Sequence, residues 1–308
     1  MELDAGTLRS VQEHFGLPSP ALVEKDFYVV KALTAVAAVE TKAMHLRLVF
    51  GGGTALSRAH RLIRRMSEDI DLRIVVESNR ASRGTLRRLR AQITDALLSA
   101  GFKFDPGDPA QRETGNGSRR TVYRLPYDPI ERVEGALRPT IRIETDVWPL
   151  YRPAVELPVS SFVAEALQQQ PEIATIECVS ILETAADKFV ALTRRVGAEL
   201  ADFAKTPDAT LVRHLHDLHA LRDHYDPVEV AALAREIMPA DAATRGSPAY
   251  RENPMRETLR AVEVLAADAG YARQYVEFQR QMVYGDDIEY TACIGTLRGL
   301  AGRLAIED

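Results

Sequence analysis

Apolar and polar side chains alternate along two stretches of the chain, and each alternation predicts a half-buried β-strand. In residues 67–76 the apolar face consists of Ile70, Leu72 and Ile74, and the polar face of Asp69, Asp71 and Arg73. In residues 140–148 the apolar face consists of Ile141, Ile143 and Val147, opposite Arg142, Glu144 and Asp146. An apolar run at residues 46–50 and a segment at residues 121–127 predict two further strands.

Helical spacing of the apolar positions predicts helices over residues 20–40, 54–65 and 81–100. A polar, glycine-rich stretch at residues 105–119 predicts a loop between elements. After about residue 152 the chain is rich in Ala, Leu and Glu, with helical periodicity and few strand-like runs. The pattern therefore predicts two domains, an α/β half with N-terminal helices over residues 1–152 and a helical domain over residues 153–308.

The composition is that of a globular protein, because 46% of the 308 residues are hydrophobic and 27% are charged. Two cysteines, Cys178 and Cys293, are too few for a disulfide framework. No apolar stretch approaches the ~20 residues of a membrane helix, and the first residues lack the features of a signal peptide. We therefore expect a cytoplasmic protein without a membrane partner.

The net charge of −5 hides a strongly basic segment. Residues 51–90 contain ten arginines and only four acidic residues. Within this segment Arg83, Arg87 and Arg90 fall at helical positions i, i+4 and i+7, so they form one stripe whose like charges repel one another. Such a stripe is compatible with a solvated helix face, but it favours a polyanionic partner such as the end of an RNA.

Two features of the N-terminal half suggest chemistry on phosphates. Glycines 51–53 lie between a predicted strand and a predicted helix, where the backbone can approach a phosphate closely. Asp69 and Asp71 share one face of their strand, and two close carboxylates favour a cation between them. A third acid, Glu144, with Asp146 as its alternative, lies in the neighbouring alternation. Each feature alone has a structural explanation, but together they suit a two-metal phosphoryl-transfer site.

These residues resemble the signature of a known family, the AbiEii/AbiGii-type nucleotidyltransferase toxins, which include the MenT toxins of bacterial toxin–antitoxin systems. The resemblance rests first on Gly52-Gly53-Thr54-Ala55-Leu56 followed by Arg65-Met66-Ser67-Glu68-Asp69-Ile70-Asp71-Leu72. Three further segments match in the family's order: residues 24–29, residues 179–192 and the Arg-x-x-x-Asp-Leu motif at residues 213–218. The resemblance extends from about residue 20 to residue 225.

The resemblance implies an α+β fold with a polymerase-β-like nucleotidyltransferase core, a mixed sheet with flanking helices, and a helical C-terminal domain. It implies that Gly52, Gly53 and Thr54 hold the triphosphate, and that Ser67 either touches a phosphate or is structural at the strand entry. Asp69 and Asp71 would bind Mg²⁺, with Glu144 as the third acid of a two-metal site. Lys188 would neutralise phosphates, and Asp217 would orient Lys188 or the nucleotide, although their separation of 29 positions exceeds the family's usual spacing.

The implied activity is Mg²⁺-dependent transfer of NMP from an NTP to an RNA acceptor, most plausibly the tRNA 3′ end, which would block translation. A cognate antitoxin protein is the implied partner. Two alternatives stay open at this point. The acceptor could be a protein hydroxyl, as in AMPylation, or the fold could serve as a non-catalytic binding module.

Overall fold

The computed structural model describes residues 3–77, 81–131, 137–201, 208 and 210–305 of the chain. The chain divides into two compact units. The first, called here the sheet unit, consists of Met1–Val179 together with Met282–Tyr284. The second, called here the helical unit, consists of Ser180–Gln281 and Gly285–Asp308. The sheet unit thus extends past residue 152, where the sequence pattern changes, and includes a short segment from late in the chain.

Seven strands form one mixed sheet in the order β3-β4-β5-β2-β1-β7-β6. The strands are β1 (Leu46–Gly51), β2 (Asp69–Val76), β3 (Arg112–Gly115), β4 (Arg120–Pro126), β5 (Thr140–Val147), β6 (Val155–Val159) and β7 (Ile173–Cys178). In the centre β2 runs parallel to β5 and antiparallel to β1, and β1 runs parallel to β7. The predicted mixed sheet is confirmed.

The two predicted alternations are confirmed, and they give the sheet two unlike faces. In β2 and β5 the apolar positions are buried and the charged positions are only partly buried. The buried face of the sheet packs against α2 (Pro20–Ala37) and α4 (Arg83–Ser99) around one hydrophobic core. The helices thereby bury one face of the sheet. Asp69, Asp71 and Glu144 lie on the opposite, charged face.

The remaining helices of the sheet unit are short. They are α1 (Ala5–Phe15), the single turn α3 (Gly52–Thr54), which continues as a π-helical turn over Ala55–Ala59, and α5 (Phe162–Ala166). The helix predicted over residues 54–65 is therefore too long. It stops because Arg61 takes a left-handed conformation, with φ of 58°, which ends helical hydrogen bonding.

Two other sequence predictions are wrong. The loop predicted over residues 105–119 contains β3, a four-residue edge strand with two exposed positions that carry no apolar signal. The all-helical reading after residue 152 fails at β6 and β7. Strand β6 is five residues long, contains Pro158 and has three exposed positions, and it escapes a pattern search because an edge strand tolerates proline and needs little burial.

The helical unit contains α6 (Ile181–Ala201), α7 (Val212–Ala220), α8 (Pro227–Arg245), α9 (Pro248–Glu252), α10 (Pro254–Ala267), α11 (Ala269–Met282) and α12 (Tyr290–Leu304). Helix α6 packs against α7, α8 and α10. The predicted helical C-terminal region is thus confirmed from Ser180 onward. Within the described ranges, no helix combines the length and the apolar character that a membrane span requires.

Candidate active site

A glycine turn follows β1, and the carboxylate of Asp71 lies directly against it. Gly51 pairs with Asp71 across the β1–β2 ladder. Gly52 takes a positive φ of 72°, and a Cβ on Gly52 would lie 2.0 Å from Asp71 Oδ2. Glycine is required here on both counts, because a side chain would be strained and would displace the carboxylate.

The next two residues of the turn contact the segment that leads into β2. A Cβ on Gly53 would lie 2.5 Å from Arg65 Nη2 and 2.7 Å from Ser67 Oγ. The hydroxyl of Thr54 donates a hydrogen bond to the backbone carbonyl of Asp69. The structure therefore brings the predicted nucleotide-binding residues Gly52, Gly53, Thr54 and Ser67 together with the predicted metal-binding strand.

Asp69 and Asp71 occupy the charged face of β2, two residues apart. Arg138 Nη1 lies 3.1 Å from Asp69 Oδ1, and Arg142 Nη1 lies 3.9 Å from Asp69 Oδ2. The side chain of Asp69 is 24% exposed, so its carboxylate remains accessible. Two such hard carboxylates are the usual protein contribution to a Mg²⁺ site, because substrate phosphates and water complete the octahedron.

Glu144 lies beside Asp71 in the β2–β5 register but is held by two arginines. Arg120 donates to both of its oxygens, at 2.7 and 2.9 Å, and Arg142 donates to Oε2. Burial opposes ionisation of Glu144, yet the Arg120 hydrogen bonds and the Arg142 charge outweigh it and keep the pKa of Glu144 below its ordinary value. A third-ligand role would require both arginines to release this carboxylate.

Three acids do not converge into a metal cluster at this point. Across the described part of the chain, no group of three or more His, Cys, Asp or Glu side chains is placed to hold a metal ion. The alternative acid, Asp146, lies further along β5, opposite Arg120 and Arg73. The geometry thus fits a pair of aspartates that share a metal with a phosphate substrate.

Lys188 and Asp217 meet within the helical unit. Lys188 on α6 places its Nζ 2.7 Å from Asp217 Oδ2 on α7, and both side chains are buried. His216 Nδ1 lies 3.5 Å from the other carboxylate oxygen. The long spacing between the two residues in sequence therefore does not separate them, and Asp217 fixes the position of the Lys188 ammonium.

The predicted arginine stripe lies on α4. Arg83 and Arg87 are exposed, whereas Arg90 is half-buried and donates to the carbonyl of Ser118 at 3.0 Å. Burial lowers the pKa of Arg90, and part of its hydrogen-bonding capacity is used within the fold. Arg80, another residue of the basic segment, lies outside the described residues.

Sequence reasoning assigned no role to Lys25, which proves to support the aspartate strand. Lys25 is fully buried on α2 and donates to the carbonyls of Arg138 and Thr140 at 2.7 and 2.6 Å. Its Nζ also lies 3.4 Å from Glu68 Oε2, next to Asp69. Burial lowers the pKa of Lys25, against the opposing effect of Glu68. The available signal was the run of three charged residues, Glu24, Lys25 and Asp26, within a helix whose other positions are mostly apolar.

Comparison with known proteins agrees with this geometry. The structure resembles MenT4, a nucleotidyltransferase toxin from Mycobacterium tuberculosis H37Rv, with a TM-score of 0.52 and 17% sequence identity over 98% of this chain and 99% of that one. A likeness at this identity shows the fold. A search of curated protein sequences gave no match. A family model described as "Nucleotidyl transferase AbiEii toxin, Type IV TA system" matches residues 35–293, and the chain therefore belongs to the AbiEii family of nucleotidyltransferase toxins of type IV toxin–antitoxin systems.

Proposed function

We propose that this nucleotidyltransferase moves NMP from an NTP to the 3′ end of a tRNA and so blocks translation. One observation carries the proposal: the glycine turn lies against the carboxylate of Asp71, with Ser67 and Asp69 beside it. A triphosphate held at the turn would have its reacting phosphorus next to the two aspartates. The acceptor hydroxyl attacks the α-phosphorus and loses its proton, the α–β phosphoanhydride bond breaks, and pyrophosphate leaves.

The donor set supports a Mg²⁺ cofactor. Asp69 and Asp71 would hold it, and a bound Mg²⁺ would offset the negative charge that accumulates on the triphosphate and on pyrophosphate. The backbone of Gly52 and Gly53 would bind the phosphates, and the hydroxyl of Ser67 would orient them. We also assign phosphate neutralisation to Lys188, whose ammonium Asp217 orients.

An RNA acceptor is supported by the exposed arginines of α4. Arg83 and Arg87 project into solvent from the same helix, and fixed positive charges of this kind attract the phosphate backbone of RNA independently of its sequence. Because tRNA and NTP occur in the cytoplasm, we expect the protein to act there, with a cognate antitoxin protein as its natural restraint.

The acceptor is identified by one experiment. Purified protein is mixed with MgCl₂, total cellular RNA and each α-labelled NTP in turn, with pyrophosphate measured in parallel. We expect label in a tRNA-sized band with one preferred NTP, and no label when EDTA replaces MgCl₂. Label on protein alone would replace the RNA acceptor by a protein hydroxyl. Absence of both label and pyrophosphate would contradict catalysis and leave a binding module.

A further inference from the structure

Arg65 precedes the aspartate strand, and its guanidinium lies against the glycine turn although the residue is almost completely buried. Its relative exposure is 3%. A Cβ on Gly53 would meet Arg65 Nη2 at 2.5 Å, Arg65 Cζ at 3.3 Å and Ser67 Oγ at 2.7 Å. The absence of a side chain at position 53 is therefore what lets Arg65 and Ser67 close against the backbone of the turn.

A segment from late in the chain fixes the backbone on either side of Arg65. Arg65 and Val283 form an isolated antiparallel bridge. The N–H of Met66 donates to the carbonyl of Met282 at 2.7 Å, and the N–H of Tyr284 donates to the carbonyl of Arg64 at 3.0 Å. Because backbone hydrogen bonds hold Arg64 and Met66, the backbone at Arg65 is fixed, and so is the direction in which its side chain leaves the backbone.

The same segment also holds the helix that leaves the glycine turn. Arg58 lies in the π-helical turn, and its Nη2 donates to the hydroxyl of Tyr284 at 3.1 Å. Its guanidinium stacks on the ring of Phe162, with 3.7 Å from Cζ to the ring centroid. Met282–Tyr284 thus contacts both the chain entering β2 and the helix after the turn, so it braces the two sides of the predicted phosphate site.

Burial of an arginine at position 65 lowers the stability of the folded state by a desolvation penalty that an apolar side chain would avoid. A buried guanidinium loses its hydration, and an apolar residue of similar volume is often as stabilising or more so. Arg65 Nη1 donates a hydrogen bond to the backbone carbonyl of Met66, at 2.8 Å. This bond to the adjacent residue fixes the orientation of the planar guanidinium group. A fixed charge in such a shielded place acts on an anion more strongly than a solvated one.

We infer that Arg65 is a positioning residue of the nucleotide site: it fixes Ser67 and Gly53 and supplies a permanent positive charge beneath the triphosphate. This inference rests on the proposed function. It distinguishes Arg65 from its neighbour Arg64, whose side chain is exposed. A charge acting on the phosphates contributes more to binding as the number of phosphates increases, whereas a structural brace affects every nucleotide equally.

The test is equilibrium binding of NTP, NDP and NMP to the full chain, with Arg65→Met, Arg65→Lys and the matched control Arg64→Met. We expect Arg65→Met to weaken NTP binding by about 10- to 100-fold, with a smaller loss for NDP and the smallest for NMP. Arg65→Lys should recover part of the loss because it keeps the charge, and Arg64→Met should bind as the wild type does. In steady state the loss should appear in KM for NTP more than in kcat.

Because Arg65 is buried, a second measurement is made on the wild type. The Nε–H resonance of Arg65, assigned with Arg65→Lys, should shift on addition of NTP, while that of Arg64 should not. Any one of three outcomes would overturn this inference alone. They are equal NTP affinity in wild type and Arg65→Met, an equal loss of affinity for all three nucleotides, and an Arg65 resonance that does not shift in a wild type that binds NTP. A wild type that binds no NTP would overturn the proposed function and this inference with it.

Discussion

The carboxylate of Glu144 illustrates how neighbours decide the role of a residue. Its two oxygens accept hydrogen bonds from Arg120 and Arg142, and the pKa of Glu144 lies below its ordinary value. A carboxylate so neutralised is a weak base and a poor metal ligand. Asp71, by contrast, faces the glycine turn. Position on one sheet face makes all three acids candidates. Asp69 also accepts a hydrogen bond from Arg138, at 3.1 Å, but this is a looser hold than Arg120 and Arg142 together have on Glu144, so the contacts favour the two aspartates.

Glu144→Gln should therefore leave the metal requirement almost unchanged. We expect the Mg²⁺ concentration that gives half-maximal transfer to change by less than about threefold, whereas Asp69→Asn should raise it by about tenfold or more, because carboxylate charge sets affinity at such sites. A Mg²⁺ titration of NMP transfer with the two purified variants decides the matter. An equal rise for both variants would make Glu144 a metal ligand after all.

The buried pair of Lys188 and Asp217 allows stability and activity to be separated. Asp217→Asn leaves the Lys188 ammonium without its 2.7 Å partner, and breaking a buried ion pair in this way should lower the free energy of unfolding by about 3–5 kcal/mol. The double variant Lys188→Met/Asp217→Leu should regain most of that stability. Urea denaturation followed by circular dichroism measures both changes.

Transfer activity should be lost in the double variant, which lacks the ammonium, and reduced in the single variant, in which the ammonium loses the carboxylate that orients it. A stable double variant with wild-type NMP transfer would show that the pair only supports the helical unit.

At the scale of elements, the glycine turn is the point where three pieces of chain meet. It follows β1, faces the side chains of β2 and receives Arg65 and Ser67 from the segment between them. None of these three segments forms the site by itself; the site exists only where they contact one another. The close approach exists because Gly52 and Gly53 have no side chains, so the turn should be intolerant of even one methyl group.

Gly52→Ala tests this intolerance, with Gly117→Ala as the matched control. Both glycines have a positive φ, 72° and 60°, but a Cβ at Gly117 would meet nothing within 4 Å. Gly117→Ala should therefore show only backbone strain, about 1 kcal/mol of stability, and retain NMP transfer. Gly52→Ala should lose more stability and essentially all transfer, because its Cβ displaces Asp71. Thermal unfolding and the labelled-NTP assay report the two effects.

Helix α2 carries a buried acid whose titration should be visible in stability. Burial raises the pKa of Asp26 to about 6, against the opposing effects of Arg58 and the Phe162 N–H. The folded state therefore holds this proton more tightly than the unfolded state, whose pKa is near 3.8. The resulting stabilisation is fully present below pH 3.8 and is lost as the pH rises through about 6.

Asp26→Asn should remove that contribution, since an amide does not titrate. Relative to the wild type, we expect the variant to gain stability between about pH 4 and pH 6 and the difference to level off above about pH 7. Urea unfolding of both proteins at half-unit pH steps measures it. A constant difference across this range would contradict the raised pKa of Asp26.

The sequence predicted those elements whose pattern is strong. The strands β2 and β5 have one buried and one charged face, and β1 is a short apolar run. These patterns of apolar and polar positions were sufficient to predict the three strands. The edge strands β3 and β6 were missed because backbone pairing, rather than side-chain burial, maintains them. The predicted site residues around the turn meet, whereas the roles of Arg65 and Lys25 depend on partners more than 100 positions away, which no local pattern encodes.

At the scale of the whole molecule, each of the two units contains one cluster of the predicted site residues. The sheet unit carries the glycine turn with Asp69 and Asp71, and the helical unit carries the buried Lys188–Asp217 pair. Family membership states that the chain is a nucleotidyltransferase toxin. We propose in addition that catalysis depends on Asp69 and Asp71 of β2, carboxylates that a fold used only for binding would not need.

The most direct test of that claim is NMP transfer by Asp71→Asn, compared with the wild type and with Asp95→Asn, an exposed position on α4. With α-labelled NTP, MgCl₂ and total RNA, we expect Asp71→Asn to fold normally but to lose at least about 100-fold in transfer. We also expect it no longer to arrest growth when expressed, while Asp95→Asn behaves as the wild type. Undiminished transfer or growth arrest by a folded Asp71→Asn protein would contradict the claim.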